Sequence, residues 1–208
     1  TFVTKWETIY HIASTRGHKA ALEILGNSPN GVDIHDRFRA YNTLWKKTGK
    51  RHQQICWSHL LNDSKELAKL YGCQGGNHIQ WVMKHLYKKG IAFNHQGTWE
   101  DVEDLKSTLE RYIVRPFESF RCRKYVKNLL KYKDSMFEFV MNPDVDATNN
   151  RAERAIRPCV IARKVSGGSR SDRGTHIYSV LMSVVQTLDQ NGKNIVTHGK
   201  EIIQTSHG

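Results

Sequence analysis

Two short runs that read as strands, GVDIHD at 31–36 and HQQICW at 52–57, each pass directly into a segment of helical period. After the first, RFRAYNTLWKKTG spaces Phe38, Tyr41, Leu44 and Trp45 for one helical face, with Lys46 and Lys47 near its end. After the second comes SHLLNDSKELAKLYG, for which Ser58 is the expected N-cap. Strands that alternate with helices predict an α/β fold whose sheet has parallel members, because a parallel neighbour can be reached only by a long crossover. Upstream, TFVTKWETIYHI is β-branched and aromatic and reads as one strand or a hairpin. STRG breaks it, and HKAALEIL is a short helix closed by Gly26 and the turn NSPNG.

The period then changes. NHIQWVMKHLYKKG, TWEDVEDLKSTLERYIV and SFRCRKYVKNLLKYKDSMFEFVM carry helical spacing and no strand pattern. They predict an all-helical insertion over 76–141, between a first part at 1–75 and a last part at 142–208. MNPDVDATNN reads as a loop. ERAIRPCVIARK and HIYSVLMSVVQTLDQNG read as helices joined by a Gly/Ser/Arg loop.

A formal charge of +12 limits the partners. A chain this basic most often meets nucleic acid, and less often an anionic membrane or an acidic protein. No apolar run is long enough to span a bilayer, and no secretory signal opens the chain. Four cysteines (56, 73, 122 and 159) without a repeated spacing fit reduced thiols in a cytosol.

Much of the charge is concentrated in NNRAERAIRPCVIARKVSGGSRSDRG. There Arg151, Arg154, Arg157, Arg163, Lys164, Arg170 and Arg173 surround Glu153 and Asp172. Ala152, Ala155, Ile156, Cys159 and Val160 predict one buried helical face with Glu153 at its edge, and Pro158 predicts a kink. Asn150 and Glu153 have the spacing of a capping box, so the Glu has a purely structural reading. A cap does not need so many guanidiniums, however, whereas a phosphate-handling site does. A second acid, Asp36, closes the strand VDIHD, at the end where open α/β sheets bind ligands. Two carboxylates with phosphate oxygens suit Mg²⁺, and a pair of such ions can activate the attacking oxygen and stabilise the leaving oxygen of a phosphodiester.

Four ordered blocks, GVDIHDRFRAYNTL, QQICWSHLLNDSKEL, TNNRAERAIRPCVIARKVSGGSRSDRG and YSVLMSVVQTL, resemble the bacterial insertion-sequence-sixty-six transposase family over nearly the whole chain. The resemblance implies a DDE transposase with a ribonuclease-H-like core and a helical insertion. It further implies a two-metal Mg²⁺ site with Asp36 and Glu153 as catalytic ligands, and double-stranded DNA held at element ends and target by the Arg and Lys residues of 151–173. The protein could also associate with itself, and no membrane is implied. Thr148 stands where the family often has Asp. The block bearing the family's first acid would lie upstream of TFVTKWETIYHI, so the resemblance implies a C-terminal fragment that lacks that acid and its strand and is inactive alone. Two rivals remain: a non-catalytic basic DNA-binding remnant of a decayed element, and a resolvase-like nuclease. Cys56-x-x-His59 lacks the second pair of a zinc site, and SGGSRSDRG lacks the Lys-Ser/Thr ending of a nucleotide-binding loop.

Overall fold

The computed structural model describes residues 1–15, 17–26, 30–47 and 52–198. The turn expected in NSPNG falls largely outside these described residues. In chain order the elements are β1 (Phe2–Val3), β2 (Thr8–Ile9), α1 (His18–Leu25), β3 (Val32–His35), α2 (Arg39–Lys47), β4 (His52–Ile55), α3 (Trp57–Tyr71), α4 (Asn77–Ala92), α5 (Trp99–Ile113), α6 (Phe120–Leu130), α7 (Asn150–Ser166) and α8 (Asp172–Gln190). Helix dominates, and among the described residues the strands form two two-stranded sheets: β1 with β2 antiparallel, and β3 with β4 parallel. Contacts divide the chain into two units. One joins Thr1–Ile24 to the chain from Asn150 onward, and the other is Leu25–Asn149.

In the Leu25–Asn149 unit, β3 and β4 pair in register from Val32↔His52 to His35↔Ile55. Trp57 starts α3 and is fully buried, with Tyr87, Phe137 and Phe139 packed against its ring. Its indole N–H donates to the Met136 carbonyl at 2.7 Å, and the Gln54 amide donates to the same oxygen at 2.9 Å. Gln54 Oε1 in turn accepts from the Phe139 N–H at 3.2 Å, so one buried amide ties β4 to the two short 3₁₀ turns at Lys133–Ser135 and Glu138–Val140. Between 77 and 130 the chain forms α4, α5 and α6, where the period predicts helices. A π-turn, Gly72–Gly76, joins α3 to α4. Gly75 there has φ +115°, and a Cβ on Gly76 would lie 2.1 Å from the Leu67 carbonyl oxygen, so neither position accepts a side chain. Thr98 and Asp101 form a full capping box on α5, and the Ser119 hydroxyl caps α6.

The other unit is held differently. The opening segment is a hairpin with Phe2↔Ile9 and Val3↔Thr8. The free side of β2 meets side chains of α8 instead of a third strand. Thr187 Oγ1 accepts from the Thr8 N–H at 3.1 Å and donates to the Thr8 carbonyl at 3.2 Å. Ser183 Oγ accepts from the Tyr10 N–H at 2.9 Å. The Asn191 amide donates to the Trp6 carbonyl at 2.8 Å. Residues four apart on a helix stand about 6 Å apart along its axis, close to the two-residue step of a strand, so one hydroxyl stripe can follow a strand edge.

Three local expectations need correction. The face expected to be buried on α7 is only partly covered: Ala152, Ala155, Cys159 and Val160 are half-buried and Ile156 is 42% exposed. Helix α7 begins at Asn150 itself, so Asn150 is not the capping residue of a box with Glu153. Ser58 likewise lies inside α3, whose N-cap position is Cys56.

Candidate active site

Asp36 follows β3 at its carboxyl end and is exposed. The turn that presents it is built from its neighbours. Asp36 Oδ1 accepts from the Phe38 N–H at 3.1 Å, an Asx turn that leads into α2. Arg37 has φ +67°, a left-handed conformation rare for a residue with a side chain. It is held there from both ends. Its N–H donates to His35 Nδ1 at 3.2 Å, and its guanidinium pairs with Asp63 of α3. His35 is 2% exposed and stacks on Tyr41 with centroids 4.6 Å apart. Burial lowers its pKa to about 4, although Asp36 beside it pulls the other way. Neither the left-handed Arg37 nor its pairing with Asp63 carries a sequence signal, since no glycine marks the turn.

The end of β4 is tied to the segment that precedes α7. Cys56 N–H donates to the His35 carbonyl at 2.9 Å, which keeps the ends of the two strands level. Trp57 N–H then donates to the Ala147 carbonyl at 2.9 Å, and Asn149 N–H donates to Cys56 Sγ at 3.3 Å. Cys56 thus lies at a structural junction, where its thiol also meets Ser58 Oγ at 2.9 Å.

Glu153 is exposed in the first turn of α7, where a carboxylate complements the helix dipole. Asp36 belongs to the Leu25–Asn149 unit and Glu153 to the other. Among the described residues no group of three or more His, Cys, Asp and Glu could hold one metal ion. Asp36 and Glu153 are each exposed carboxylates, and one Asp36 oxygen is engaged in the Asx turn. Such oxygens fit Mg²⁺, which keeps several waters and fills its shell with substrate oxygens.

The basic residues share one unit. Arg154, Arg157, Arg163 and Lys164 are exposed along α7, Arg170 lies exposed in the loop that follows, and Arg173 is exposed in the first turn of α8. Arg151 is half-buried and donates to the Thr4 carbonyl at 3.4 Å, so part of its role is to hold the hairpin. Helix α7 runs through Pro158 to Ser166. Gly167 (φ +70°) and Gly168 (φ +93°) follow at once, which gives these glycines a helix-ending role.

Compared with known families, the chain falls in the class of transposases. It belongs to the Transposase IS66 family, which matches residues 2–177. No curated protein and no solved structure matches it. Membership gives the chain a transposase role, with DNA as the partner. No helix among the described residues is long and apolar enough to cross a membrane.

Proposed function

We propose that the chain carries a DDE-type catalytic domain with a ribonuclease-H-like core, which cleaves and joins DNA strands of an insertion sequence with Asp36 and Glu153 as its Mg²⁺ ligands. The observation that supports this most is the junction at the end of the parallel pair. Asp36 leaves β3 there, and the Ala147–Asn149 segment is hydrogen-bonded to the first residues after β4. Glu153 follows only four residues later. Magnesium held by these two carboxylates would supply activation of the attacking oxygen and charge stabilisation at the leaving one. The chain's own work is positioning. The Asx turn and the Arg37–Asp63 pair orient Asp36, and the guanidiniums of α7 and the loop after it hold the phosphate backbone.

The test is a strand-cleavage assay on element-end DNA with Mg²⁺ or Mn²⁺, alongside Mn²⁺ binding read by electron paramagnetic resonance. Asp36→Asn and Glu153→Gln are each expected to weaken Mn²⁺ binding while duplex binding persists, and any cleavage seen with the unaltered chain should disappear in both. Mn²⁺ binding unaffected by both changes would remove these residues from the metal site. As a second arm, alanine at Arg163, Lys164, Arg170 and Arg173 should flatten the slope of log K against log salt by about 0.9 per lost phosphate contact.

A further inference from the structure

We propose that the outer face of α4, with the end of α5, is a stacking platform for unpaired nucleotides, so that the helical segment grips single-stranded DNA. Helix α4 turns Asn77, Trp81, Lys84, His85 and Lys88 outward and sends Ile79, Val82, Met83 and Leu86 into the core. The core is thus complete without Trp81, which is 51% exposed. Its ring is nonetheless held in place. His85 stacks on it with centroids 5.4 Å apart and planes at 12°, and Tyr112 of α5 meets it edge-on at 5.5 Å. His78 lies tilted against it at 6.0 Å. His78 is itself fixed: Nε2–H donates to the Tyr112 carbonyl at 2.7 Å, and Nδ1 accepts from Arg115 at 3.4 Å. The Arg111 guanidinium covers Tyr112, 5.1 Å from its ring centre.

The rim of this preorganised aromatic surface is cationic. Lys84, Lys88, Arg111 and Arg115 are all exposed, and α4 contains no Asp or Glu. On α5, Asp104 pairs with Lys89 at 2.7 Å and Glu110 with Lys133 at 2.5 Å, so these two carboxylates are engaged by cations, while Glu118 stands exposed beyond Arg115. Aromatic faces within a ring of Lys and Arg suit a polyanion that has bases to stack. A protein partner fits less well, since interface cores are depleted of lysine. A duplex buries its base faces within its own stack, and a phosphate contact alone would need no aromatic cluster. None of these residues belongs to the proposed metal site, so the two readings stand or fall separately.

The experiment uses the full chain and fluorescence-labelled probes, an oligothymidylate and a hairpin duplex of equal charge. Trp81→Ala should weaken oligothymidylate binding by about tenfold or more while changing duplex binding less than about twofold. Trp81→Phe should recover most of the loss, and His85→Ala should reproduce part of it. Trp81 lies outside the core, so thermal melting should be nearly unchanged in each variant. Unchanged oligothymidylate affinity, or an equal loss for both probes, overturns the platform. Unchanged affinity with a smaller sedimenting species overturns it too and assigns the face to a second copy of the chain.

Discussion

In the Leu25–Asn149 unit, Trp57, Phe137, Leu105 and Leu109 have no exposed surface. In the unit made from the two ends of the chain, Ile161, Val165 and Leu181 are 61%, 83% and 56% exposed. The first unit closes an apolar core around one indole. The second is fastened by side-chain hydroxyls and amides that replace a strand partner. Burial spread over many side chains is non-directional and tolerant, whereas a few hydrogen bonds along one strand edge are each needed. The difference predicts opposite sensitivities. The Leu25–Asn149 unit should fail when volume is removed, and its counterpart when single polar atoms are removed.

The largest effect tests the apolar side of this contrast. Trp57→Ala removes the ring that Tyr87, Phe137 and Phe139 surround, and a buried Trp replaced by Ala costs about 3–5 kcal/mol. The Met136 carbonyl keeps Gln54 as a donor, so most of the loss should be cavity rather than an orphaned acceptor. Trp6→Ala, at a residue 63% exposed, should cost less than about 0.5 kcal/mol in the same urea titration. Similar losses for the two would mean that Trp57 does not anchor the core.

How much of this could be read from the sequence depended on the kind of force involved. Apolar period located β3, β4 and the helices of 77–130, because the core of that unit repeats at the spacing of its elements. The acid that closes β3 was visible for the same reason. Arg37 was not, since its left-handed backbone is held by His35 and by Asp63, a residue remote in sequence. The Asn150 box failed because Asn150 is already the first helical residue of α7. Ser179, Ser183 and Thr187 do have a helical spacing, but hydroxyls so placed look the same facing water as facing a strand edge.

The next effect comes from pH and lies beside Asp36. His35 titrates near 4 in the folded chain and near 6.5 when unfolded. The unfolded chain therefore binds the extra proton between those values, and stability falls as pH falls through that window. The difference corresponds to roughly 3 kcal/mol, fully available above pH 6.5 and lost by about pH 4. Denaturant unfolding at intervals across this range should show the decline. His35→Phe should reduce its slope while leaving other carboxylate-driven losses in place. An unaltered slope in that variant would mean that His35 is not the group taking up the proton.

The smallest effect tests the polar side. Thr187→Val keeps the shape of the side chain but removes the oxygen that both accepts from Thr8 N–H and donates to Thr8 carbonyl. Thr8 is 3% exposed, so water has poor access to either group, and the expected cost is about 1–3 kcal/mol. Ser183→Ala strands only the Tyr10 N–H and should cost about 1 kcal/mol. Because the two hydroxyls serve one strand edge, the double variant should lose more than the sum, once β2 is no longer held at either site. Amide hydrogen exchange at Thr8 and Tyr10 gives the local reading. Both amides should exchange faster in the variants, while amides of α3 and α4 keep their protection. If α3 and α4 lose protection to the same degree, the two units unfold as one, and the polar edge of β2 is as much a part of the global fold as the core around Trp57.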